Sequence, residues 1–213
     1  MWQRLARVLR AAGHDVHTPS LTGIGERAHL ATPDTDLSTH IADVLGTLRS
    51  ERLEKAVLVG HSYGGMVVTG VADREPKRVT TLVYLDAFVP QNGQAMVSLT
   101  RPQVRDAIEK ASGPIAPLPP AAQGMTDPKE IAWLDGRRDP QPRGTLTQPI
   151  SLKGAYKGPR VYIFCSGYQP TSFAPFADRV RNDPAWKYHE LKTHHYPQVS
   201  MPNETAGILL NYA

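Results

Sequence analysis

The chain is predicted to adopt an α/β fold, a mostly parallel sheet with helices packed on both faces. Three observations predict it. Short apolar runs alternate with segments of helical spacing along most of the length. One run, Ala56–Val59, leads straight into a glycine-bracketed turn, Gly60-His61-Ser62-Tyr63-Gly64-Gly65, and then into a helical segment. The 213 residues, 40% of them hydrophobic, suit one well-buried domain.

Leu5, Val8 and Leu9 recur at helical spacing, which makes Trp2–Ala12 an amphipathic helix stopped by Gly13. Asp15–Ser20 is predicted as a strand and 21–36 as a long polar loop. Ile41, Val44, Leu45 and Leu48 return to the helical period within Leu37–Glu51. The strand Lys55–Val59 and the turn follow, then a helix that ends near Arg74 before Pro76. Val79–Val89 is a strongly apolar strand. Beyond residue 156 the alternation resumes: strand Arg160–Cys165, helix near Phe173–Arg181, strand Lys187–Leu191 and a final helix from about Pro202.

The stretch between these halves has a different character. Many of the nineteen prolines fall between Pro102 and Pro149. Helices are predicted at Pro102–Ala111 and Pro128–Leu134, the second opened by Asp127 with Glu130 three residues on, a capping-box pattern. We therefore divide the chain into a core of residues 1–90 and 157–213 and a small helical lid insertion, 91–156. Such an insertion belongs beyond the strand ends, where α/β enzymes bind ligands.

The net charge of +4 and pI near 9.2 are mildly basic, but no Lys/Arg run reaches the length that nucleic acid binding requires. Arg101, Arg105, Arg137, Arg138 and Arg143 are assigned to a solvated face, with attraction of acidic substrates as the alternative. The single cysteine, Cys165, excludes an intrachain disulfide and sits in an apolar run as a buried structural thiol. No stretch approaches eighteen apolar residues, and the first residues do not read as an apolar leader, so none is expected. The expectation is a cytoplasmic protein without nucleic acid or membrane partners, and without a metal or organic cofactor. A zinc site from His189, His194 and His195 fits none of the usual ligand spacings.

Gly60–Gly64 matches G-x-S-x-G in the strand–turn–helix context of a nucleophile elbow. A serine lifted off a strand end needs a turn so sharp that Gly60 and Gly64 must lack a Cβ, while Gly65 lets the next helix pack closely. Ser62 is thus the candidate nucleophile, and the N–H of Tyr63, following it, a candidate oxyanion donor. The serine needs a histidine as base. Of eight histidines, His61 lies within the motif and is expected to point away from the hydroxyl. His14, His17, His29 and His40 precede the serine, against the chain order Ser, acid, His. His189 lies within a strand; His194 and His195 fall in the following loop, where the base belongs.

With these residues in place the sequence resembles the α/β-hydrolase superfamily, in the branch of small esterases related to plant methyl-ester hydrolases and hydroxynitrile lyases. The matching pieces are Leu21-Thr22-Gly23-Ile24-Gly25-Glu26-Arg27, the elbow, Tyr84-Leu85-Asp86-Ala87-Phe88-Val89-Pro90, and His195 followed six residues later by Met201-Pro202. The resemblance implies His195 rather than His194 as base, from its spacing to Pro202. Relatives often carry their acid near Gly167-Tyr168-Gln169, but no Asp or Glu occurs between Pro159 and Ala177. The second place this fold uses for the acid corresponds to Asp86. A carboxylate closing an apolar strand is costly unless paired, and an imidazole partner would account for it; capping of nearby N–H groups is the alternative. Glu190 is held by its strand.

The resemblance also implies a strand with a His-Gly turn ahead of Trp2, carrying a second oxyanion donor. This sequence lacks that segment, so the fold is expected as an N-terminally truncated version, with either impaired activity or an unusual arrangement that compensates for the gap. Loss of one such donor typically costs about 10²–10³ in turnover. The implied activity is hydrolysis of small carboxylic esters through an acyl-enzyme, with a small-molecule ester as partner and homo-oligomerisation as a possibility. A hydroxynitrile-type lyase is the alternative, disfavoured because Tyr196 stands where those lyases place a lysine after the histidine. A non-catalytic ligand-binding homologue is the third reading. Trp133, Met96, Leu99 and Ile131 supply lid core or an apolar acyl pocket.

Overall fold

The computed structural model describes all 213 residues. Four strands, β1 (Ala56–Ser62), β2 (Val79–Ala87), β3 (Arg160–Cys165) and β4 (Trp186–Leu191), lie side by side in chain order, and every neighbouring pair is parallel. Five helices precede or follow the first two strands: α1 (Gln3–Ala11), α2 (Leu37–Ser50), α3 (Gly64–Arg74), α4 (Met96–Leu99) and α5 (Pro102–Lys110). The rest are α6 (Pro128–Asp135), α7 (Arg143–Thr147), α8 (Ala174–Arg181), α9 (Pro197–Ser200) and α10 (Pro202–Leu210). None is long and apolar enough to cross a membrane.

Period-two alternation along each strand sends side chains to opposite faces of the sheet. Leu82, Tyr84, Tyr162 and Phe164 join α2, α3 and α8 in the larger core cluster. Val83, Leu85, Val161 and Ile163 pack with Leu5 of α1 and Ala206 and Leu209 of α10 in a second cluster. Helices therefore cover both faces, as the near-continuous apolar runs of β2 and β3 demand. Those two central strands are buried almost throughout, whereas Ala56–Val59 of β1 are only half-buried at the sheet's edge.

Two local expectations are corrected. Asp15–Ser20 forms no strand: the ladder ends at β1, which pairs with β2 alone. Alternation within a segment cannot make a strand without a neighbour to accept its hydrogen bonds. The capping box of α6 is half-formed. Asp127 accepts from the Lys129 N–H at 2.8 Å, but Glu130 turns instead to the Arg4 guanidinium at 2.7 Å.

Residues 91–156 contain α4 to α7, a 3-10 turn at Pro120–Gln123 and one isolated bridge between Ile115 and Gln141. Ile131 and Trp133 pack around Met125, Leu134, Tyr196 and Val199 rather than against the sheet.

Candidate active site

The ladder carries β1 three residues past its expected end, through His61 opposite Leu85, and delivers Ser62 to the tip with φ of 56°. The turn's glycines have unequal roles. A Cβ on Gly60 would lie 2.6 Å from the Gly64 carbonyl and from Val68, and one on Gly65 only 2.0 Å from the Phe88 carbonyl. Gly64 faces open space, which corrects the expectation that it must lack a Cβ. Close approach of α3 to the chain leaving β2 is what the turn requires.

Ser62 lines a small cavity of about 60 Å³ together with Phe88, Met96, Arg101, Gln123, Tyr168 and Phe173. Beside it, Asp86 is the penultimate residue of β2, fully buried at φ of 43°. Its Oδ2 accepts from His195 Nδ1 at 2.7 Å and from the Tyr168 hydroxyl at 2.8 Å, and its Oδ1 from the Cys165 N–H at 3.2 Å. His195 is 1% exposed and stacks on Phe173, with ring centroids 4.8 Å apart. With Nδ1 engaged by the carboxylate, Nε2 is the nitrogen free to take a proton. Ser62 Oγ forms no hydrogen bond to His195 in this structure.

Burial raises the Asp86 carboxyl to about 7, against the pull of the Tyr168 hydroxyl and the Cys165 N–H. Burial also lowers the His195 imidazole to about 3, with His194 adding to it, so the ring is held neutral. Cys165 is buried, and burial pushes its thiol well up.

The remaining candidates go elsewhere. His194 faces Glu130 at 3.6 Å and accepts from the Tyr196 N–H at 3.1 Å, while His189 bonds the Tyr212 hydroxyl at 2.6 Å. Glu190 accepts from the Tyr188 hydroxyl at 3.0 Å on its own strand. His61 Nε2 donates to the His195 carbonyl at 2.6 Å, tying the elbow to the histidine loop. The grouping of the five arginines on a solvated face needs correction. Arg138 bonds Asp135 at 2.6 Å and the Leu118 carbonyl, Arg143 bonds the Ile108 carbonyl at 3.1 Å, and Arg101 lines the Ser62 cavity.

Two supporting residues escaped the sequence reading. Tyr168 stands where the resemblance would place an acid, and its hydroxyl donates to the Asp86 carboxylate. The carboxylate-free stretch 159–177 was the signal that pointed to it. His40 donates through Nε2 to the Thr22 carbonyl at 2.8 Å and accepts from the Tyr63 hydroxyl at 3.0 Å, which fixes the residue after Ser62. Thr22 is itself held by Asp43, through its N–H at 2.7 Å. The Leu21–Arg27 stretch thereby supports the elbow.

A parallel sheet covered on both faces, with a sharp serine turn after one strand and a His–Asp pair behind it, defines an α/β-hydrolase. The chain belongs to the alpha/beta hydrolase family, whose model matches residues 1–208. It is 40% identical to the carbendazim hydrolyzing esterase of Nocardioides sp. (strain SG-4G) over 216 aligned positions, spanning 94% of this chain and 89% of that one. Methylesterase 7 of Arabidopsis thaliana is 25% identical, across 100% of this chain and 90% of the relative. Among solved structures, an extracellular α/β-hydrolase from a Paenibacillus species superposes with a TM-score of 0.86 at 20% identity, covering 100% of this chain and 93% of that one. These relatives are esterases and hydrolases, and the chain is an enzyme of that class.

Proposed function

We propose that the chain is a serine esterase that cleaves small carboxylic esters through an acyl-enzyme. Ser62 attacks the ester carbonyl while His195 Nε2 takes its proton. The same imidazole then protonates the leaving alcohol, and water repeats the sequence to release the acid. Asp86 fixes the tautomer and stabilises the imidazolium as it forms. The Tyr63 N–H, at the N-terminal end of α3, donates to the carbonyl oxygen as charge develops there. Residues 91–156 act as the lid, in keeping with the share of the cavity wall they supply.

The observation that carries this reading is the buried 2.7 Å bond between Asp86 and His195, set beside the cavity that Ser62 lines. Catalytic hydrogen bonds are often long before substrate arrives, so the bond between Ser62 and His195 is expected to form in the substrate complex. Similarity to the carbendazim hydrolyzing esterase supports carbendazim as the first substrate to assay. Wild type and Ser62→Ala should be compared on carbendazim and on p-nitrophenyl esters of graded chain length. Wild type should turn over at least one of them, and Ser62→Ala should lose about 10³-fold or more in kcat. Undiminished turnover in Ser62→Ala would exclude the mechanism.

A further inference from the structure

Arg101 stands apart from the other arginines of the 91–156 segment. Arg105 bonds Asp106 and Arg138 bonds Asp135, while Arg143 reaches the Ile108 carbonyl and Arg137 lies over the Trp133 ring. The Arg101 guanidinium has no such partner: it makes no ion pair and no hydrogen bond, and its Nε is buried without an acceptor. Its backbone, by contrast, is fixed. The N–H donates to Ser172 Oγ at 3.4 Å, and that same oxygen lies 3.1 Å from Thr100 Oγ1. Pro102 then opens α5, holding Arg101 in an extended conformation at the helix start. A permanently charged residue thus lines the cavity that Ser62 lines, and it pairs with no carboxylate of the chain.

A buried donor without an acceptor is costly, and at Arg101 the Nε is such a donor while the two terminal nitrogens stay open. Elsewhere in this segment the fold gives guanidinium groups partners. At Arg101 it provides none, and the residue lines the reaction cavity. We propose that Arg101 is the specificity-determining residue of this site, and that it binds a carboxylate carried by the substrate in addition to its ester. The substrate class is then the half-esters of short dicarboxylic acids. A carboxylate presents two oxygens that match the guanidinium fork, and it supplies the charge that the cavity wall lacks. Phe88, Met96 and Phe173 of the same cavity would pack against the short chain between the two groups.

The inference rests on the esterase reading of the cavity, but its test does not need turnover. In Ser62→Ala protein, titration calorimetry should compare three probes of similar length: monomethyl glutarate, methyl pentanoate and the neutral amide methyl 4-carbamoylbutanoate. The half-ester should bind about ten- to a hundredfold tighter than methyl pentanoate. Arg101→Met should abolish that preference, and Arg101→Lys, which keeps the charge but loses the fork, should retain only part of it. The preference should also shrink as salt is raised. Equal binding of half-ester and pentanoate, or a preference unchanged in both Arg101 variants, would overturn the proposal. Amide binding as tight as the half-ester would overturn the assignment of a carboxylate. A wrong nucleophile would appear instead as undiminished turnover in Ser62→Ala, which leaves these binding results standing.

Discussion

Ser62 and Asp86 are both non-glycine residues at positive φ, 56° and 43°. Each such position costs of order 1–3 kcal/mol and persists only where the surroundings enforce it. The enforcement is visible: α3 pressed against the chain leaving β2 at one residue, three hydrogen bonds on a buried carboxylate at the other. Asp86→Asn keeps the shape and tolerates left-handed backbone, but presents the wrong partner to the imidazole. It should lower kcat by about 10⁴ while leaving the melting temperature unchanged or higher. Tyr168→Phe removes one donor to the carboxylate, whose pull lowers the Asp86 carboxyl. Loss of that pull raises the carboxyl further, so the acid limb of kcat/KM against pH should move to higher pH. A limb that superimposes on wild type would remove Tyr168 from its positioning role. Asp86 was legible in the sequence because a charge closing an apolar strand demands an explanation. Tyr168 was marked only by the lack of a carboxylate around it, and Arg101 only as one of five arginines, because their roles arise where distant loops converge.

The elements were legible wherever apolar period alone decides structure. Helices α1, α2, α5 and α8 and strands β2 and β3 lie within a few residues of their expected bounds. Asp15–Ser20 failed because a strand is defined by its neighbour, which local alternation does not reveal. The elbow yields a sharper contrast. Gly65→Ala places a Cβ 2.0 Å from a backbone oxygen, whereas Gly64→Ala meets nothing. Gly65→Ala should therefore destabilise by about 3 kcal/mol or more, and Gly64→Ala should be neutral or slightly stabilising in thermal melts. Equal melting temperatures would contradict the packing described for α3. His61 couples stability to pH. Burial lowers its imidazole from 6.5 to about 3, with the neighbouring His195 adding to it. Between those values the unfolded chain binds a proton that the folded chain refuses, so stability is lost as pH falls from about 6.5 toward 3. This contribution amounts to about 2 kcal/mol between pH 7 and 5. His61→Gln, which can still donate to the His195 carbonyl, should reduce that dependence in urea titrations at the two pH values, leaving the part that His195 carries. An unchanged slope would show that His61 is not buried neutral.

At the scale of the molecule, the three groups proposed for catalysis come from three separate parts of the chain. Ser62 ends β1, Asp86 is one residue from the end of β2 and His195 follows β4, so all stand at the carboxyl ends of parallel strands, where open α/β sheets place their sites. No local segment contains more than one of them. Packing α1 and α10 on one face and α2, α3 and α8 on the other brings them together. The family was legible because its motifs lie within segments, at the elbow and around Asp86 and His195. The cavity wall was not, because residues 91–156 fold into short helices and turns without a strong period. The reactivity proposed for Ser62 is thus a property of the folded chain as a whole. The most direct measurement is mass spectrometry of the protein after exposure to a fluorophosphonate, folded and in concentrated urea, for wild type and His195→Ala. A single adduct on Ser62 should form in folded wild type, and should be absent in urea and strongly suppressed in His195→Ala. An unlabelled Ser62 in the folded enzyme, or labelling indifferent to His195, would contradict the account.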